Sequence, residues 1–413
     1  MPLRLLYNIL INIAWLGLKV VALFNAKIKL FVQGRKQTFS ILEERLRSAD
    51  KTIWMHVASL GEFEQGLPIL ERLRTEYPEH RLVLSFFSPS GYEVKKNTSV
   101  ADVVIYLPMD SNYKAKRFLE LVNPELAIFV KYEVWPNYLH HLQKRNIPTL
   151  LISAIFSERQ IYFKPFGGFM RKSLRKFDHY FVQDENSKKL LESIEIKNST
   201  ISGDTRLDRV SEILKQNNQL DFMDRFKNNQ LCLVAGSTWP EDEQILINYI
   251  NNTNEKVKVV IAPHEIKPAH IAKITSALNK KTLCYSDLGN QNLKEIEVLI
   301  IDTIGLLTKI YSYANIAYVG GGFATGLHNT MEPAVFGIPI IIGPQFLGFK
   351  EVEDLIKEGG IMPISNQDSF NNLMGDLLNN PISIRNIGDI NANYINSNRG
   401  AADLIMKHIS KIM

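Results

Sequence analysis

From Lys51 onward, short β-rich apolar runs alternate with stretches of helical spacing. Residues 52–58, 82–86, 103–107, 126–130, 149–153 and 179–182 read as strands, each followed by a helical stretch such as 65–77. Near-continuous apolar strands separated by amphipathic helices predict a parallel sheet covered on both faces. The region from 203 to 229 turns polar and marks a domain junction. The alternation then restarts, with strands at 231–235, 257–262, 298–302, 316–319 and 338–342. The fold class is therefore α/β, with two doubly wound Rossmann-like domains. Loops after the strand C-termini, at a crevice between the two halves, are where a ligand is expected.

A different pattern precedes these halves. Residues 3–28 are apolar apart from Arg4, Asn8, Asn12, Lys19 and Asn25, and the first four fall on one stripe of a helix. Polar stripes are costly at a bilayer centre, which favours a helix lying in the interface over one that spans, with an ordinary core helix or a signal peptide lacking a clean cleavage site as the alternatives. Lys27, Lys29, Arg35 and Lys36 follow at once and predict that the chain beyond faces the cytoplasm. The expected organisation is an anchor over 1–30, one domain over 31–215 and a second over 216–413, whose last helix packs back on the first domain.

Composition narrows the class of protein. With 45% hydrophobic and 22% charged residues the 413-residue chain is globular. Two cysteines cannot form a zinc cluster or a disulfide framework, and Cys232 lies in a core strand. A net charge of +5 carries no nucleic-acid footprint but suits anionic lipid or a phosphorylated substrate. The chain has no G-x-x-x-x-G-K-[ST] loop, no G-x-G-x-x-G after the first strand and no Asp-x-Asp. These absences argue against an ATPase, an NAD enzyme and a metal-bound nucleotide sugar. No metal and no cofactor are expected, and His140-His141 reads as a solvated helix face.

The loops carry the candidate chemistry. The first strand ends in Ser59-Leu60-Gly61-Glu62, where Gly61 is expected to turn the backbone sharply. Glu62 would stand at a helix start, either as a general base or as a complement to the helix dipole. The fourth strand ends in Glu133-Val134-Trp135-Pro136-Asn137, with Trp135 expected as core. In the second half, Gly236-Ser237-Thr238-Trp239-Pro240-Glu241 has capping-box spacing between Thr238 and Glu241, and its amides suit a phosphate. Pro263-His264-Glu265 follows the next strand, and Asp302-Thr303-Ile304-Gly305-Leu306 the third, with Thr303 as an expected N-cap. Gly320-Gly321-Gly322 then leads into His328-Asn329-Thr330-Met331-Glu332-Pro333. Three glycines permit close backbone approach to a ligand.

Four of these motifs in order, residues 59–62, 133–137, 235–238 and 320–333, resemble the Kdo transferases of lipid A biosynthesis in Gram-negative bacteria, from the anchor to about residue 360. The resemblance implies a GT-B fold with a membrane-anchoring N-terminal helix at the cytoplasmic side of the inner membrane. It implies inverting transfer of 3-deoxy-D-manno-octulosonic acid (Kdo) from CMP-Kdo to a lipid A precursor, lipid IVA. Glu62 would then be the general base, Glu133 would act on the transition state, and Arg206 would lie near the transferred sugar. Ser237, Thr238, Pro263, His264, Ile304, Gly305, Leu306, Gly321, Gly322, His328, Asn329, Thr330, Met331 and Glu332 would form the CMP-Kdo site. Two departures stand out: His264 replaces an arginine common in the family, and Lys131 replaces a second glutamate. The implied partners are CMP-Kdo, the lipid A precursor and inner-membrane lipid, with no nucleic acid. The alternatives are a membrane-associated GT-B enzyme using a UDP-sugar, a non-hydrolysing nucleotide-sugar epimerase, or a non-catalytic glycolipid-binding membrane protein.

Overall fold

The computed structural model describes residues 2–289, 291–324 and 326–413. Met1, the first residue of the expected anchor, lies outside the described residues. The chain forms two compact units, one comprising Met1–Arg209 and Arg399–Met413 and the other Val210–Asn398.

The first unit is built on a seven-stranded parallel sheet. Its strands are β1 (Thr52–Val57), β2 (Arg81–Phe86), β3 (Val103–Tyr106), β4 (Pro124–Val130), β5 (Thr149–Ala154), β6 (His179–Val182) and β7 (Ser199–Ile201). They are ordered β3-β2-β1-β4-β5-β6-β7, so the strand order reverses between β1 and β4. The central strands are buried on both faces, which is why they read as unbroken apolar runs. Trp54 of β1 is fully buried against Phe118, Phe129 and Tyr138. β7 escaped the sequence reading because it is three half-buried residues containing Ser and Thr.

The second unit repeats the plan. Strands β8 (Leu231–Thr238), β9 (Val257–Pro263), β10 (Thr282–Cys284), β11 (Val298–Ile300), β12 (Ile316–Val319), β13 (Ile340–Ile342) and β14 (Ile361–Pro363) are all parallel. Their order is β10-β11-β9-β8-β12-β13-β14. The edge strands β10 and β14 are three residues each and carry no long apolar signal. Cys232 is buried in β8.

Helix α1 (Pro2–Val21) is followed by α2 (Ala26–Arg45), which Asn25 caps by accepting from the Ile28 N–H at 3.1 Å. Arg4 and Asn8 of the polar stripe face the first unit. Arg4 donates to Asn137 at 3.1 Å and also to Asn112, while Asn8 accepts from the Asn112 N–H at 2.8 Å. Tyr7 donates to the buried Asp110 at 2.8 Å. Nearer the C-terminal end, Trp15, Leu18 and Ala22 pack with Phe31, Val32 and Met109. Asn12 and Lys19 remain exposed, as does an apolar row that includes Leu6, Leu10, Ile13, Leu16 and Phe24.

Candidate functional site

Glu62 is reached through helix α3 (Leu60–Glu76), which starts five residues earlier than the periodicity predicts because Ser59, in extended conformation, is its N-cap. Gly61 is therefore not a sharp turn. It lies in the first helical turn, where a Cβ would meet nothing closer than Ser59 Oγ at 4.0 Å. Glu62 reaches back to accept from the Ala58 backbone N–H, so the dipole-complementing contact is present. The carboxylate is nevertheless only 5% exposed. Burial first, and the charge of Glu133 second, push its pKa up to about 7, against the opposing pull of Lys131. A carboxyl that titrates near neutrality is matched to base chemistry at cellular pH. Glu64 points elsewhere, into ion pairs with Lys95 (3.6 Å) and Arg209.

Glu133 sits on the loop that leaves β4, after Lys131, whose backbone takes the left-handed conformation at φ +68°. Its Oε2 accepts from Trp135 Nε1 at 2.9 Å and lies 3.2 Å from His56 Nε2. Trp135 is thus not simply core, since its half-buried indole packs at a tilt against Phe87 at 4.9 Å and presents its N–H to the carboxylate. His56, in β1, carried no sequence signal beyond being a histidine in an apolar strand. His141 is also buried and bonded to Asn112 at 3.0 Å, so the His140-His141 pair is not a solvated face. Arg206 belongs to the same unit, and its guanidinium is held by Asp204 at 2.6 and 2.9 Å. Gln65 of α3 donates to that same Asp204 at 3.2 Å, tying Arg206 to the Glu62 helix.

In the second unit the donor-loop residues fall into two groups. Ser237 takes a left-handed φ of +54° at the end of β8, and Thr238 is buried with its hydroxyl on Glu243 at 3.1 Å. The helix cap here is Trp239 with Asp242, not Thr238 with Glu241. Asp242 accepts from the Trp239 N–H at 2.9 Å because the strand runs on to Thr238, past its apolar run 231–235. The same buried Asp242 accepts from Gly321 N–H at 2.8 Å and Tyr318 OH at 2.7 Å, tying the glycine loop to the β8 loop. Trp239 stacks on His264 at 4.7 Å and donates to His328 Nε2 at 3.0 Å. Burial, then His264, push His328 down to about 4, so it is neutral at pH 7 with its proton on Nδ1. Pro263, the last residue of β9, is buried beside this stack.

The second group is Asn329 to Glu332. Glu332 accepts from Thr308 Oγ1 at 2.7 Å and from Asn329 Nδ2 at 3.1 Å. Met331 is buried, and Thr330 is buried with its hydroxyl unpartnered among the described residues. Thr303 is not an N-cap, because the next helix, Leu307–Ile310, starts later and is preceded by Leu306. Gly305 takes φ +93° with open space around it, and Ile304 beside it is 84% exposed. The triple glycine has a reason internal to the protein. A Cβ on Gly320 would stand 2.4 Å from Ser237 O, and one on Gly322 2.7 Å from Gly343 N. Gly321 adds φ +93°. Among the described residues no cluster of three His, Cys, Asp or Glu side chains could hold a metal ion.

Comparison with known proteins is consistent across sequence and structure. Residues 33–209 match the family described as 3-deoxy-D-manno-octulosonic-acid transferase (kdotransferase). The chain is 28% identical over 344 residues to the 3-deoxy-D-manno-octulosonic acid transferase of Aquifex aeolicus, covering 81% of this chain and 88% of that one. It is 26% identical over 371 residues to that of Haemophilus influenzae, covering 86% and 85%. The two-sheet arrangement is that of GT-B-like proteins. UDP-GlcNAc 2-epimerase from Neisseria meningitidis superposes with a TM-score of 0.60 at 14% identity, covering 87% of this chain and all of that one. MurG of Acinetobacter baumannii gives 0.56 at 12% identity, covering 86% and 99%.

Proposed function

We propose that this chain, which belongs to the Kdo transferase family of glycosyltransferases, moves Kdo from CMP-Kdo to the glucosamine disaccharide of lipid IVA with inversion. The observation that carries this reading is Glu62, a buried carboxyl at a helix start, raised to about 7 beside a second carboxylate. The acceptor's primary hydroxyl oxygen bonds to the anomeric carbon of Kdo as Glu62 takes its proton. The bond from that carbon to the CMP phosphate oxygen breaks, and CMP leaves with the electron pair. Attack opposite the leaving group inverts the anomeric centre, and no covalent enzyme intermediate forms.

The other residues take roles that fit their surroundings. Glu133, held at one oxygen by Trp135 and His56, faces positive charge developing on the sugar. Arg206 offers a guanidinium, oriented by Asp204, to the Kdo carboxylate or the departing phosphate. Ser237, Thr238, Gly321 and Gly322 supply backbone near the phosphate, as do Ile304, Gly305 and Leu306. Pro263, His264 and His328 contact the nucleotide, and Asn329 to Glu332 take the ribose, with Glu332 accepting from its hydroxyls.

The reading extends to location. Helix α1 touches the first unit at both ends, through Arg4, Tyr7 and Asn8 and through Trp15, Leu18 and Ala22. A helix held along its length on a folded domain lies in one leaflet, with its exposed Leu and Ile row inserted, at the cytoplasmic side of the inner membrane. Incubation with CMP-Kdo and a tetra-acylated lipid A precursor, followed by mass spectrometry of the lipid, tests the whole reading. A Kdo mass increment is expected. Transfer from UDP-sugars alone would favour another GT-B activity, and binding of the precursor without CMP release would favour a glycolipid-binding protein.

A further inference from the structure

His56 is fully buried on β1, and the reading above gives it nothing beyond its contact with Glu133. Its partners fix which nitrogen carries the proton. Trp54 Nε1 donates to Ser85 Oγ at 2.8 Å, so the single Ser85 proton remains to be placed. Its best acceptor is His56 Nδ1 at 2.9 Å, since Met55 O lies at 3.5 Å. A neutral imidazole that accepts at Nδ1 has its proton on Nε2, where it donates to Glu133 Oε2 at 3.2 Å. The other neutral tautomer would donate from Nδ1 to Ser85 O at 3.1 Å and turn a bare lone pair on a carboxylate oxygen. A doubly protonated ring would still donate from Nε2. In every favourable state, therefore, Nε2–H points at Glu133.

Trp135 Nε1 converges on the same Oε2 at 2.9 Å, while Glu133 Oε1 has no hydrogen-bond partner among the described residues. One oxygen is clamped and the other is left for a ligand. We infer that His56 is a positioning residue: through the chain Trp54–Ser85–His56 it clamps Glu133 Oε2 in place and leaves Oε1 open to a ligand. The inference rests on the transfer reaction proposed above, and it assigns the strand histidine a part in that site.

The consequence reaches Glu62. Glu133's negative charge is the second cause of Glu62's raised pKa, and the other groups facing the pair are Lys131 and Tyr132 from the β4 loop and Tyr162 from the turn Ile161–Phe163. Without the His56 donor, Glu133 is free to turn away, and Glu62, feeling less of its charge, then titrates at lower pH.

Three variants of the full chain separate positioning from packing. His56→Leu removes the donor. His56→Gln can still donate from its amide to Glu133, and Ser85→Ala keeps the imidazole but frees its tautomer. His56→Leu is expected to lower kcat by ~10- to ~10²-fold, the range for losing a buried hydrogen bond to a charged group. Donor KM should be unchanged, and the acid limb of kcat/KM should move to lower pH. His56→Gln should recover most of the loss, and Ser85→Ala should move in the same direction as His56→Leu. Nitrogen-15 spectra of histidine-labelled parent protein should show a proton on Nε2. Equal impairment of His56→Gln and His56→Leu, an unmoved acid limb, or a lone proton on Nδ1 would each overturn the inference. A parent protein that transfers no Kdo refutes the function instead, and the nitrogen-15 result then still decides the relay by itself.

Discussion

Glu62→Gln is the perturbation that most directly separates chemistry from helix capping. The side chain is 5% exposed and its carboxyl is raised from 4.5 to about 7. Such a shift is ~3 kcal/mol of preference for the protonated form in the folded state, at 1.36 kcal/mol per unit. The sign follows from proton uptake. Between the ordinary value and about 7 the folded protein binds more protons than the unfolded chain, so stability falls as pH rises through that window. At pH 8 the native enzyme thus holds a buried carboxylate that costs stability. Glutamine keeps an oxygen to accept from Ala58 N–H but carries no charge. Glu62→Gln should leave Tm at pH 8 unchanged or higher, while kcat falls by at least ~10², the lower end of general-base contributions. The parent's kcat/KM should itself drop about tenfold per pH unit below about 7, as Glu62 protonates. Differential scanning fluorimetry across pH 6–9, together with lipid transfer followed by mass spectrometry, provides both readings. Transfer within a few-fold of the parent would place the base elsewhere, with Glu133 next. A large fall in Tm would make Glu62 a structural cap.

The donor side, the loop scaffold and the anchor give further expectations. Glu332→Gln should raise donor KM with little change in kcat, because a ribose contact exists in ground and transition states alike; steady-state kinetics at varied CMP-Kdo checks this. Asp242→Ala should lower stability by ~3 kcal/mol or more in urea unfolding, since three donors, two of them buried, lose their acceptor; loss within ~0.5 kcal/mol would contradict its linking role. Deleting residues 1–25 should abolish most sedimentation with anionic vesicles and leave CMP binding intact, yet lower Tm, because Asp110 and Asn137 lose Tyr7, Arg4 and Asn8. A truncated chain that pellets as completely as the parent would refute the anchor. Transfer should survive EDTA when donor and acceptor are supplied preformed, and full loss restored by Mg²⁺ would refute metal-free catalysis.

The sequence by itself determined the two-sheet α/β plan, because strands buried on both faces must be apolar along their whole length. It failed at β7, β10 and β14, where three-residue edge strands bury too little to leave a pattern. It placed Glu62, Glu133 and the glycine loop after the correct strands, since chain direction in a parallel sheet sends each loop to the C-terminal edge of its own sheet. It misjudged how the loops are closed. Gly61 is an ordinary helical residue, Thr238 and Thr303 are not caps, and the triple glycine is packed against Ser237, Gly326 and Gly343. It also saw the polar stripe of α1 without seeing that Arg4 and Asn8 spend it on the protein. Those features, like the convergence of His56, Ser85 and Trp135 behind Glu133, join residues far apart along the chain. Periodicity records which face of an element is apolar, a local property. Which polar atom meets which, and hence which carboxyl is buried next to another charge and pushed toward neutrality, is set only when β1, β2 and β4 lie side by side.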